Sequence, residues 1–225
     1  MHNFFNEDAP FMRTLAAAGD LMIANLLFLI CAFPIVTAGP ALSAVYSVMH
    51  GLLEHNCDSV AKSFFIAFRK NFRVSLVAGC ISIFCLCVMA ADLWFLTETT
   101  IPDLLTIIFF GIWICIFIIL ISVLSYLFPL ISRYENSLIQ HIRNAALLSI
   151  SQLFRTVVII LLNTFPVVLL LFLPPVFLYL TPFWILIGFA GIFRLDVLVL
   201  KPIFNQLDEL SQAQKFLGNR GSGKN

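Results

Sequence analysis

Four stretches of this chain contain no Asp, Glu, Lys or Arg at all. They lie between Asp20 and Glu54, Arg73 and Asp92, Asp103 and Arg133, and Arg155 and Arg194, and hold 33, 18, 29 and 38 residues. A helix rising ~1.5 Å per residue crosses a hydrocarbon layer of ~30 Å in about 20 residues, so the second and third stretches each fit one membrane span. The first and last are too long for one span and must be divided. Soluble domains carry about 25% charged residues, whereas this chain has 11% charged and 61% hydrophobic residues and a mean hydropathy of +1.02. Water is not its main solvent.

The first long stretch is interrupted by Phe33-Pro34-Ile35-Val36-Thr37-Ala38-Gly39-Pro40. Its two prolines remove backbone donors and Gly39 tolerates conformations closed to other residues, so no straight helix runs through it. Extending the apolar run back to Thr14 gives helices over 14–33 and 40–54, read as a tight hairpin. The alternative is one span over 20–36 followed by a helix on the membrane surface. The last stretch divides at Pro174-Pro175 and Thr181-Pro182. Its 38 residues cannot supply two spans of about 20 plus a turn, so the final span continues through Arg194 and Asp196 towards Lys201-Pro202. An Arg and an Asp are thereby placed at membrane depth.

The expected architecture is all-α, a polytopic transmembrane helical bundle forming a single domain over 1–225. It has about six helices, near 14–33, 40–54, 74–96, 104–130, 156–174 and 182–204, with five as the alternative. Two connecting segments carry amphipathic spacing. Over 59–72, Phe65, Phe68 and Phe72 recur at helical intervals beside a stripe of Lys62, Arg69 and Arg73; over 137–153, Leu138, Ile142, Ala145 and Leu148 do the same. Both read as helices on the cytoplasmic membrane surface, and residues 211–225 as a flexible tail. Every Lys/Arg-rich loop falls on one side, so the positive-inside rule places 54–73, 131–156 and the C-terminus in the cytoplasm and 97–103 and 174–182 outside. The first ten residues hold no basic region, which makes a removable signal peptide a poor fit.

Composition also excludes function classes. The net charge of +1 and the lack of a basic cluster with interleaved aromatics argue against a nucleic-acid partner. Five of the six cysteines, Cys31, Cys80, Cys85, Cys87 and Cys115, fall in apolar segments, and no CxxC occurs, so they read as small packing residues. His2, His50, His55 and His141 are scattered without recognised ligand spacing, so no metal site is expected. No nucleophile, phosphate-loop or dinucleotide pattern occurs; the chain is read as having no catalytic residues, no cofactor and no enzymatic activity.

The informative positions are polar or conformationally special residues at membrane depth, because a charge at mid-bilayer costs about 2.5–3.5 kcal/mol on insertion scales and persists where it pairs or lines a cavity. These are Asn25, Pro34, Thr37, Gly39, Pro40, Asn163, Arg194 and Asp196. Arg194 and Asp196, two apart, project to different faces of a helix. One reading has Arg194 snorkelling to the inner headgroups; the other has these charges facing a partner or a solute.

The stretch Phe33 to Tyr46, preceded by Asn25 and an apolar run, and then Phe64-Phe65-Ile66-Ala67-Phe68-Arg69-Lys70-Asn71-Phe72, resembles the YesL family of bacterial membrane proteins of unknown function. The specific part of the resemblance covers about residues 20–75. It implies a bacterial plasma-membrane protein whose relatives tend to be encoded beside carbohydrate ABC importers and glycoside-degrading enzymes. The leading expectation is therefore an accessory component of carbohydrate uptake, surrounded by membrane lipids and contacting ABC permease subunits; the chain is also compatible with a homo-oligomer. The competing expectation is a solute transporter or channel, with Pro34 to Pro40 as a discontinuous-helix element. A central polar cavity lined by Asn25, Thr37, Asn163 and Arg194 would favour transport, and a dry core with an exposed groove would favour the accessory role.

Overall fold

The structure is a computed structural model that describes residues 10–98 and 103–222, so residues 99–102 of one expected external loop lie outside the described residues. The described residues are all-α, with no strand among them. The elements are α1 (Pro10–Ala32), a short 3-10 turn (Ile35–Thr37), α2 (Ala38–Leu53), α3 (Val60–Glu98), α4 (Asp103–Arg133), α5 (Leu138–Ser151), α6 (Leu153–Phe172), α7 (Pro174–Tyr179), α8 (Thr181–Phe183), a π-helical turn (Trp184–Gly188) and α9 (Phe189–Ser222). Among the described residues six helices are long and apolar enough to cross a membrane, beginning at Phe11, Ile35, Val60, Leu104, Leu153 and Thr181. The chain is a membrane-embedded helical bundle.

The Pro34 to Pro40 break closes a hairpin. α1 stops at Ala32 because the residue before a proline disfavours helical dihedrals, and Pro34 itself is extended at φ −73°, ψ 106°. The Thr37 hydroxyl lies 2.7 Å from the Cys31 carbonyl and 2.8 Å from that of Pro34, giving the end of α1 a donor it would otherwise lack. Pro40 sits in the first turn of α2, where a missing N–H costs nothing. The chain returns antiparallel, so that Arg13 and Asp20 of α1 lie beside Leu52 at the far end of α2.

α2 is the central helix, 56% of its span being buried against 6% for that of α4. Ala41, Ala44, Val45 and Met49 are fully enclosed. Small residues let α3 approach it closely: a Cβ at Gly39 would sit 2.2 Å from the Ser75 carbonyl oxygen and 3.0 Å from the Gly79 Cα. The Ser75 hydroxyl donates to Ser43 at 2.8 Å across this contact, and Ser43 donates to the Pro40 carbonyl at 3.0 Å. Close backbone approach with short hydroxyl bridges is the usual way of joining helices where lipid supplies no hydrophobic drive.

The segment 59–72 is not a separate surface helix. It forms the first turns of α3, which continues unbroken for 39 residues, ~58 Å, because nothing between Lys70 and Val74 interrupts a helix. Phe64, fully buried, is the core-facing aromatic, and Phe65 is about half exposed, so the aromatic stripe faces one residue away from where Phe65, Phe68 and Phe72 placed it. Within the expected tail 211–225, α9 runs as helix to Ser222, and 223–225 lie outside the described residues. α5 is a distinct amphipathic helix, opened by a capping box in which Gln140 N–H donates to Ser137 Oγ at 3.4 Å and Ser137 N–H donates to Gln140 Oε1 at 3.0 Å. It turns His141, Ala145 and Ser149 inward, while Ile142 stays at the edge.

Packing is uneven along the bundle. The stretch of α4 from Tyr126 to Ile131 is buried, whereas Leu104, Ile107, Ile112 and Ile119, nearer its start, are more than half exposed. Trp113 Nε1 donates to the Met89 carbonyl at 3.0 Å and holds the outer parts of α3 and α4 together.

Candidate functional site

Counting along the helices puts the principal polar cluster near mid-span. Tyr46 is about halfway along α2, Asn163 is halfway along α6, and Asp196 lies deep in the last span. Asp196 is completely enclosed. Its Oδ2 accepts from the Tyr46 hydroxyl at 2.8 Å and from Asn163 Nδ2 at 2.8 Å, while Oδ1 has no hydrogen-bond partner among the described residues. Asn163 Nδ2 also donates to the Ile159 carbonyl at 3.0 Å. Three helices thus converge on one buried carboxyl group, where low dielectric strengthens each hydrogen bond to it.

The second cluster begins from a backbone defect. A π turn pairs residues five apart and leaves the flanking carbonyls without their usual α-helical donors. Asn25 of α1, fully buried, replaces them: Nδ2 donates to the Trp184 carbonyl at 3.0 Å and to the Ile185 carbonyl at 2.6 Å, and Oδ1 accepts from Ala190 N–H at 2.8 Å. Both donors and the acceptor of the amide are engaged. The turn in turn orients Trp184, whose ring lies over Gly188, where a Cβ would meet it at 2.3 Å, and beside Phe165, Phe177, Phe183 and Phe189.

A third group sits at the end of the bundle where α2 and α4 finish. Arg133 donates through Nη1 to Glu54 Oε1 and through Nη2 to Asp208 Oδ2, both at 2.7 Å, and lies over the Phe204 ring at 5.5 Å. Tyr134 donates to Asp208 Oδ1 at 2.9 Å; partial burial and that carboxylate together hold its phenol well above the usual range. One guanidinium shared by two carboxylates ties three helices where an isolated surface pair would contribute little. Arg133 and Glu54 were legible in the sequence as ends of charge-free stretches, without any sign that they meet, and Asp208 gave no signal at all.

Of the residues singled out beforehand, Asn163 and Asp196 come together and Asn25 is buried beside the π turn. Pro34, Thr37 and Pro40 build the hairpin and bond locally, and Gly39 serves the α2–α3 contact. Arg194 does not join Asp196. It is half-buried and faces a separate pocket formed with Arg13, Asp20 and His55. The polar cavity lined by Asn25, Thr37, Asn163 and Arg194 is therefore absent among the described residues. Tyr46 was missed, because a tyrosine in an apolar run reads as packing; its only signal is being the largest polar side chain in a charge-free stretch.

Two openings adjoin these groups. A groove of about 650 Å³ lies between α6 and the last span, lined by Leu161, Phe165, Phe183, Trp184, Gly188 and Gly191. A smaller, mostly apolar cavity of about 270 Å³ reaches from Gly39 and Gly79 past Ser82 and Ser125 to Tyr46 and Asn163.

Among protein families, the one described as a protein of unknown function, DUF624, matches residues 21–93, about a third of the chain. The matched part contains the hairpin, all of α2 and most of α3, and with them Asn25 and Tyr46 but neither Asn163 nor Asp196. No curated protein and no solved structure matches the chain.

The geometry makes Arg194 and Asp196 energetically independent despite their closeness in sequence. Stability in detergent of Arg194→Leu, Asp196→Leu and the double variant should give a coupling energy below about 0.5 kcal/mol. Asp196→Leu combined with Asn163→Leu should couple by about 0.5–3 kcal/mol, since either single change strands a buried polar partner. A strong Arg194–Asp196 coupling would show that the two charges act as one network.

Proposed function

We propose that this chain is a non-catalytic accessory protein of a bacterial plasma membrane, linked to carbohydrate uptake and docking through its membrane-embedded surface onto ABC permease subunits. The observation that carries this reading is the apolar groove beside α6. Gly191 lies in its lining, and a Cβ there would meet nothing nearer than the Ile187 Cγ2 at 4.0 Å, so packing within this chain does not demand a glycine. A small residue facing an open groove is what a second helix needs for close approach in lipid. The buried amides and carboxyl described above are engaged in joining helices, which supports a static core. The link to carbohydrate uptake rests on the resemblance of residues 20–75 to the YesL family.

A transport role is the second reading, favoured by the cavity that runs from Gly39 to Tyr46 and Asn163 beside the enclosed Asp196. A carboxyl at membrane depth beside a cavity is a common element of solute pathways. Affinity purification of the full chain from its native cell in mild detergent separates the two. Permease subunits should co-purify, and Gly191→Phe, which fills the groove, should reduce their recovery at least about tenfold, equivalent to ~1.4 kcal/mol, with the variant remaining folded. A wild-type chain that purifies alone, or undiminished recovery with Gly191→Phe, would contradict the docking role.

The basic residues at the start of α3 (Lys62, Arg69, Lys70 and Arg73), those from the end of α4 to the start of α6 (Arg133, Arg143 and Arg155) and those of the C-terminal helix support an orientation with both termini cytoplasmic. Single cysteines at Gln140 and Tyr179, both exposed, report it on a cysteine-free background. An impermeant thiol reagent should label position 179 on intact cells and position 140 only after permeabilisation. The reverse pattern would invert the topology.

A further inference from the structure

The depth of the α1–α2 turn is set by its contacts with α3. Gly39, at the start of α2, packs on Ser75 and Gly79, and Ser43, one turn on, bonds Ser75. These contacts fall in the first two turns of the charge-free stretch of α3, which opens after Arg73. Beyond them α3 continues for the 19 residues from Cys80 to Glu98, ~28 Å. α4 has the same register: the first of its residues to line the cavity at Gly39 is Ile121, which leaves 104–120, ~25 Å, on the far side of the turn. The Trp113–Met89 bond pairs these two outer segments with each other. Even at a tilt of about 40°, the outer part of α3 rises ~21 Å past the turn.

We infer that α1 and α2 form a re-entrant hairpin, which enters from the cytoplasmic side and turns back inside the hydrocarbon, where Phe33, Ile35 and Val36 meet lipid acyl chains. With the turn at the outer surface, the outer parts of α3 and α4 would stand in water, yet Phe84, Trp94, Leu104 and Ile107 there are each more than two-thirds exposed. Such a surface belongs in lipid, which leaves most of the ~30 Å hydrocarbon layer on the far side of the turn. The turn is made for the same solvent. Phe33, Ile35 and Val36 are 88%, 69% and 56% exposed, and Thr37 is the sole polar side chain from Phe33 to Pro40. Its backbone groups are met from within: Thr37 N–H donates to the Pro34 carbonyl at 2.7 Å, Ala38 N–H donates to that of Ile35, and the Thr37 hydroxyl lies 2.7 and 2.8 Å from those of Cys31 and Pro34. Pro34 and Pro40 have no N–H to satisfy. A turn in water has no need of such closure, whereas a turn in hydrocarbon does. The hairpin returns to the side it entered, so the orientation proposed above is unchanged, and its depth is independent of any docking at the α6 groove.

The test is electron paramagnetic resonance of the full chain in phosphatidylcholine–phosphatidylglycerol liposomes. Phe33→Cys, Val36→Cys, Phe84→Cys and Glu98→Cys, all at exposed positions, are spin-labelled one at a time on a cysteine-free background. Oxygen concentrates in hydrocarbon and a neutral nickel chelate in water, so the ratio of their collision rates with the label reports its depth. Labels at 33 and 36 should collide more often with oxygen than with the chelate, as the label at 84 does, and the order should reverse at 98. Two positions in the turn keep the measurement decisive if one substitution unfolds the chain. Chelate-dominated collisions at 33 and 36, matching those at 98, would place the turn in water and overturn the inference. So would chelate-dominated collisions at 84, because the outer part of α3 would then stand outside the lipid.

Discussion

A peptide group in hydrocarbon has no water to bond, so any departure from the α-helix must be repaired by the protein itself. The last span departs from it at Trp184–Gly188, and the repair is a single side chain, Asn25, reaching from α1 to two carbonyls and one amide. Much else follows from that repair. It fixes the first helix of the chain against the last, sets the direction in which α9 descends, and so brings Asp196 to Tyr46 and Asn163. It also seats Trp184 over Gly188, which shapes one wall of the groove beside α6. Without a donor from α1, the carbonyls at 184 and 185 would face apolar side chains, at a cost of several kcal/mol per unsatisfied group.

The polar groups fall into layers with different duties. Asn25 and the Tyr46–Asp196–Asn163 cluster act within the bundle, where low dielectric strengthens each bond and leaves no tolerance for an unpaired partner. The Arg133 network closes the end where α2, α4 and α9 meet. Arg194 stands apart from both, with its charge turned to a pocket at the bundle margin. The long apolar faces of α3 and α4 carry no such groups and offer their side chains to whatever surrounds the chain in the membrane, lipid or partner.

The number of spans was legible because it depends on a property summed over twenty residues: charge-free length against bilayer thickness. The hairpin at Pro34 to Pro40 was legible for a local reason, two prolines and a glycine inside one apolar run. Passage of the last span through Arg194 and Asp196 came from arithmetic alone. What stayed hidden was pairing across long separations. Asn25 meets residues 159 to 165 positions away, and Tyr46 meets Asp196 across 150, distances over which no periodicity survives. The unbroken α3 was hidden for another reason: amphipathic spacing reports that a helix has two faces and says nothing about the direction of its axis. A basic stripe over 62–73 suited a surface helix as well as the protruding end of a long span. In the Arg133 network, Glu54 and Arg133 had served only to mark where charge-free stretches stop, and Asp208 had given no signal.

The dependence of the bundle on Asn25 is open to direct measurement by hydrogen–deuterium exchange of the full chain in nanodiscs, resolved to peptides covering 180–192. In the wild type these amides should exchange as slowly as those of the buried part of α2. In Asn25→Ala, exchange over 184–190 should become fast while α2 and the buried half of α3 keep their protection, the local opening expected when one bonded turn loses its partner. Slow exchange retained over 184–190 in Asn25→Ala would show that the π turn supports itself and that Asn25 is not what holds the last span in place.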